Sequence, residues 1–164
     1  MDGYKVFISH TNSQADLEIV ERVAAELGSI GIYAYIAERD RQLGVYLTDK
    51  IKANIRDSDL VVGIWTKMAE GSAYVNNELG YAEDRKSWYL LFEKGATVTG
   101  FAVGREYLEF DRASLDESLI SLVSDVLARR EEKRISGENA ILFFGALAAV
   151  LAGITAAYLT STKK

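Results

Sequence analysis

Lys5–Leu27 reads KVFISHTNSQADLEIVERVAAEL, and its two halves carry different periods. Lys5–His10 is a short, apolar, β-prone run, the pattern of a buried strand. Thr11, Asn12 and Ser13 follow, residues that form turns and cap helices. Leu17, Val20, Val23, Ala24 and Leu27 then recur at helical spacing, and Gly28 and Gly31 end that helix. A strand, a capped turn and a helix open an alternating α/β chain.

The alternation continues along the sequence. Ile32–Ala37 (IYAYIA) is a second strand, and a polar loop, Glu38–Gly44, follows it. Val45–Arg56 fits a helix with Leu47, Ile51 and Ile55 on one face. Leu60–Trp65 (LVVGIW) is the most strand-like run of the chain. After the loop Thr66–Ala73, a third helix spans Tyr74–Lys86, with Ser72 as its cap. Trp88–Phe92 is a fourth strand, Thr97–Val103 has room for a short one, and Tyr107–Phe110 is a fifth. Leu115–Arg130 closes the series as an amphipathic helix. Apolar strands alternating with helices predict a parallel sheet covered on both faces, with right-handed crossovers. In such sheets sites form beyond the carboxyl ends of the strands, at a topological switch point. That points to Ser9–Asn12, Glu38–Gly44, Thr66–Ser72 and the start of the third helix.

Composition removes several chemistries. The 164 residues include no cysteine, so disulfides, iron–sulfur clusters and thiolate zinc sites are excluded. A single histidine, His10, excludes any site built on two imidazoles. The net charge of −5 argues against a sequence-independent nucleic-acid binder. No G-x-G-x-x-G follows the first strand, no P-loop is present, and no G-x-S-x-G elbow supports a serine triad. His10 is either part of a pocket or a residue capping its loop. Asp40 and Asp57 lack oxygen-rich partners at ligand spacing, so no metal is expected.

Charge is distributed unevenly. All 24 acidic residues lie at or before Glu138, and only Lys163 and Lys164 of the 19 basic residues lie beyond it. Ala140–Leu159 (AILFFGALAAVLAGITAAYL) has no charge and, as a helix, would span roughly 30 Å, the thickness of a bilayer core. It reads as a transmembrane helix, since a soluble helix would keep a polar face. Arg129, Arg130, Lys133 and Arg134 precede it, which favours the N-terminal side in the cytoplasm. Gly145, Ala149, Gly153 and Ala157 share one face and would allow close helix pairing. The expected organisation is a folded domain at 1–132, a juxtamembrane linker at 133–139, a membrane helix at 140–160 and a short basic tail at 161–164.

What remains for chemistry is a carboxylate. Glu78 lies one helical turn after Tyr74, on the same face, and Gly80 beside it removes a side chain that would block a ligand or a neighbouring helix. A carboxylate at the mouth of an apolar cleft suits glycosyl-bond chemistry: it hydrogen-bonds ribose hydroxyls and stabilises or attacks an oxocarbenium-like centre. Position alone favours the plainer account, a solvated first-turn residue stabilised by the helix dipole.

A family resemblance shifts that balance. KVFISHTNSQADLEIVERVAAEL resembles the opening box of the TIR (Toll/interleukin-1 receptor) domain, in its prokaryotic branch. Glu38–Gly44 followed by YLTDKIKANIRDSDLVVGIWT resembles its BB loop and the next helix and strand. Tyr74–Glu78 resembles its W-x-x-x-E element, with Tyr in place of Trp, and Leu43-Gly44 stands where Pro-Gly is common. The resemblance covers about residues 4–132. It implies a flavodoxin-like three-layer sandwich with a five-stranded parallel sheet. It also implies cleavage of the nicotinamide–ribose bond of NAD⁺, with NAD⁺ as substrate and no cofactor, and with Glu78 as the catalytic residue. Ser9, His10, Gly44, Trp65 and Tyr74 would then line the pocket.

The resemblance further implies activation by self-association, in a defence or cell-death response. The products would be nicotinamide with ADP-ribose or a cyclic ADP-ribose isomer. The alternatives are a non-catalytic adaptor that only pairs with other TIR domains, and a nucleoside deoxyribosyltransferase-like enzyme. The latter family shares an E-L-G-Y-A helix, but the segment after Trp65 here, TKMAEGSAY, lacks its aspartate.

Overall fold

The computed structural model describes residues 3–36 and 47–135. The strands are β1 (Lys5–Ser9), β2 (Tyr33–Tyr35), β3 (Leu60–Trp65), β4 (Ser87–Glu93) and β5 (Leu108–Phe110). The helices are α1 (Gln14–Ser29), α2 (Leu47–Asp57), α3 (Ala73–Glu83) and α4 (Leu115–Ile135). All pairings are parallel, as the alternation predicts, and the order β2-β1-β3-β4-β5 is the flavodoxin-like one that the family resemblance implies. The order reverses between β1 and β3, so the switch point lies beyond the ends of those two strands.

The helices start and stop where local chemistry dictates. Ser13 caps α1 by accepting from the Asp16 N–H, and Ser72 caps α3 by accepting from the Val75 N–H. At the end of α1, the Ile32 N–H bonds the Leu27 carbonyl and the Gly31 N–H bonds that of Gly28, both at 3.0 Å. Gly31 supplies the left-handed φ of 74° that this termination needs.

All six residues of β3 are buried, so both faces of the sheet are covered there. Phe7, Val61, Trp65, Leu90 and Phe92 pack with Ile51 and Ile55 of α2 and Val75, Leu79 and Ala82 of α3. Gly63, in the middle of β3, sets how closely α3 approaches. A Cβ there would lie 2.8 Å and 2.9 Å from the two δ-carbons of Leu79. Gly63→Ala should therefore cost about 1–3 kcal/mol as overpacking and shift α3 off the sheet. A thermal melt checks this; a variant melting at the parental temperature would show that α3 has slack.

Thr97–Val103 differs from its expectation as a strand. Gly100–Ala102 forms a single 3-10 turn instead. Gly100 has φ of 53°, and the Phe101 N–H donates to Asn76 Oδ1 at 2.7 Å, so this backbone bonds a side chain of α3 rather than a ladder. A Cβ on Gly80 would meet nothing within 4 Å, so among the described residues no neighbouring helix uses the space it leaves.

The chain divides into two compact units at Leu119. Of the second, the described part is α4 from Ile120. It runs to Ile135, past the expected end at Arg130 and into the expected linker, and carries an Arg134–Glu131 ion pair at 2.6 Å. No helix among the described residues is long and apolar enough to cross a membrane. The uncharged run 140–159 lies outside them, as do the loop 38–44 and the helix start at 45–46.

Candidate active site

β1 delivers Ser9 to the switch point, level with Gly63 of β3. Because Gly63 has no side chain, Leu79 settles against the sheet there, and its neighbour Glu78 comes within reach of β1. Ser9 Oγ donates to Glu78 Oε2 at 2.6 Å, a contact between residues 69 apart in sequence. Ser9 is fully buried, so the carboxylate is held from the sheet side.

On its other side Glu78 borders a cleft of about 310 Å³ between α2 and α3. Ile51 and Ile55 give α2's wall an apolar surface, with Thr48 and Lys52 on the same helix; α3 contributes Ala73, Tyr74, Asn77, Glu78 and Tyr81. An apolar cleft with a few convergent polar groups is the usual form of a small-molecule site. Glu78 and Tyr74, one helical turn apart, both line this cleft.

The other sequence candidates fall elsewhere. His10 is buried, with Nδ1 2.6 Å from the Thr11 carbonyl, so that nitrogen is the donor. Trp65 is wholly buried in the core and donates its indole N–H to the Thr97 carbonyl at 3.3 Å; it does not line the cleft. Both faces of the central strand are covered, which leaves a strand-end aromatic no open side. Gly44 lies outside the described residues.

Sequence reasoning missed a buried ionic network at the carboxyl ends of the strands. Asp16 and Glu93 are buried, and Arg112 bridges them: Nη2 to Asp16 Oδ1 at 2.9 Å and Nε to Glu93 Oε1 at 2.6 Å. The hydroxyls of Thr11 and Thr66 donate to Asp16 Oδ2, and the Lys67 N–H donates to Glu93 Oε2 at 2.9 Å. Burial pushes the Glu93 carboxyl up, but the Arg112 bond and the Lys67 N–H outweigh it and hold it below its ordinary 4.5. Glu93 in turn raises the Arg112 guanidinium, against burial and with help from Asp16. The network ties the loop after β1 to the ends of β3 and β4 and to the turn after β5. No local pattern marks it, because Asp16 and Arg112 are 96 residues apart.

The TIR domain family model matches residues 6–121. The chain belongs to the TIR domain family. The solved TIR domain of the Toll-related receptor TRR-2 from Hydra magnipapillata is 17% identical, with a TM-score of 0.62 over 75% of this chain and 98% of that one. A 2-deoxyribosyltransferase from Bacillus psychrosaccharolyticus is 15% identical, with a TM-score of 0.54 over 69% of this chain and 90% of that one. The TIR domains of the activated Roq1 resistosome are 17% identical, with a TM-score of 0.51 over 95% of this chain and 99% of that one. At such identities these likenesses show a shared fold alone. No curated protein sequence matches the chain.

Proposed function

We propose that this TIR domain cleaves the nicotinamide–ribose bond of NAD⁺, as a glycohydrolase or cyclase, with Glu78 as the catalytic carboxylate. The observation that carries the reading is the hydrogen bond from buried Ser9 that holds Glu78 at the edge of the cleft between α2 and α3. As the C1′–N bond breaks, nicotinamide leaves with the bonding pair and positive charge develops on the ribose. A fixed carboxylate stabilises that charge, because its position needs little reorganisation. Water then adds at C1′ and loses a proton, giving ADP-ribose; addition of an adenine nitrogen instead gives the cyclic isomer. Tyr74, exposed at the cleft edge, supplies an aromatic face for the leaving ring.

Activation by self-association, in a defence or cell-death response, completes the proposal. The Roq1 structure is of an activated resistosome that directly recognises a pathogen effector, and its TIR domains share this fold. The run 140–159 would anchor the chain as a single membrane span, with the domain in the cytoplasm and its effective concentration raised by confinement. A second reading, favoured by the likeness to the 2-deoxyribosyltransferase, keeps the glycosidic chemistry and takes a nucleoside.

The test compares protein clustered on beads with the same amount dispersed. Nicotinamide release from NAD⁺ should rise with surface density, and deleting 139–164 should reduce activity in cells more than on beads. Turnover of a deoxynucleoside with none of NAD⁺ would select the second reading. No turnover of either at any density would leave a TIR adaptor that works by pairing alone.

A further inference from the structure

Tyr81 lines the same cleft as Glu78 and gathers three cations around it. The Arg85 guanidinium lies 4.4 Å from the centre of the ring, and Lys52 Nζ lies 5.6 Å from it. Arg56 Nη1 approaches the Tyr81 hydroxyl at 3.4 Å. Arg85 is fixed in place by a second bond, from Nη1 to the Tyr81 carbonyl at 2.9 Å. Among the described residues none of these three cations has a carboxylate partner, whereas Arg105 and Arg112 both do. Asp49, Asp57 and Asp84 are their sequence neighbours and do not pair with them.

Resting on the Glu78 reading, we propose that Lys52, Arg56 and Arg85 form the phosphate-binding end of the cleft, which makes the substrate a diphosphate-bearing nucleotide rather than a nucleoside. Three like charges around one ring repel one another, and an anion relieves that repulsion. Guanidinium forks and an ammonium are the groups that hold phosphate oxygens. The cleft then has two ends of opposite charge. Lys52 and Tyr81 stand at one and the Glu78 carboxylate at the other, about 4.5 Å along the α3 axis from Tyr81 by the helical rise. A nucleotide with a cationic pyridinium glycoside and an anionic diphosphate matches that polarity, whereas an uncharged nucleoside matches neither end. The competing account is that Arg56, in the last turn of α2, and Arg85, just beyond α3, serve only their helix dipoles.

The experiment uses the full chain carrying Glu78→Gln, so that ligands bind without turnover, and measures ADP and adenosine binding by calorimetry. ADP should bind at least about tenfold more tightly than adenosine, the worth of one charge-assisted hydrogen bond. Lys52→Gln with Arg85→Gln should lose that advantage while adenosine binding stays as it was, and a melt of each variant confirms folding. In the chain that retains Glu78, the same pair should raise KM for NAD⁺ about tenfold and lower kcat far less. Equal binding of ADP and adenosine, or ADP binding unchanged in the double variant, overturns the assignment. The two readings fail separately. Nicotinamide release with an unchanged KM in the double variant refutes the phosphate site and leaves Glu78. Cation-dependent ADP binding in a chain that never releases nicotinamide refutes Glu78 and leaves the phosphate site.

Discussion

Glu78→Gln is expected to lower nicotinamide release from NAD⁺ by about 10²-fold or more, the usual loss when a charge-stabilising or proton-transferring group is removed. Glutamine keeps the shape of the side chain and an oxygen that still accepts from Ser9 Oγ. It removes only the negative charge that faces the developing cation. Melting should therefore stay near that of the parent. Glu78→Ala is a poorer probe, because it also strips the acceptor from a fully buried Ser9 hydroxyl, at about 1–3 kcal/mol. Turnover by Glu78→Gln equal to that of the parent would remove the carboxylate from the chemistry.

The second large effect is on stability. Arg112→Ala is expected to destabilise the domain by about 3 kcal/mol, because Asp16 and Glu93 would remain buried without their cation. Arg112→Lys should fall between, since an ammonium restores the charge but not the fork that meets two carboxylates at once. The pH dependence follows from Glu93. Its carboxyl titrates below the ordinary 4.5 in the folded protein, so its contribution is present above that value and lost as pH falls through the lowered one. The gap in stability between parent and Arg112→Ala should be widest near neutral pH and shrink in acid, where protonated Glu93 needs no partner. Denaturant unfolding at several pH values measures this, and a gap independent of pH would show that Glu93 does not carry it.

The elements that were legible in the sequence are those set by short-range chemistry. Ser13 and Ser72 announce α1 and α3, and the six apolar residues of β3 announce a strand covered on both faces. Thr97–Val103 has β-prone residues and room for a strand, but its backbone is captured by Asn76, which lies 25 positions from Phe101. The family resemblance puts Trp65 in the pocket, yet its strand is central and the side chain is wholly buried in the core. Glu78 and Tyr74 were placed by helical spacing. The bond from Ser9, the α2 wall of the cleft and the Asp16–Arg112–Glu93 network come from packing between distant segments, which no local period records.

Incubating the clustered protein with NAD⁺ and separating the products by chromatography tests the proposed glycosidic cleavage most directly. A nicotinamide peak matched one-for-one by ADP-ribose or its cyclic isomer is expected. Recovery of intact NAD⁺ at every surface density, from protein that melts as a folded domain, would rule the cleavage out.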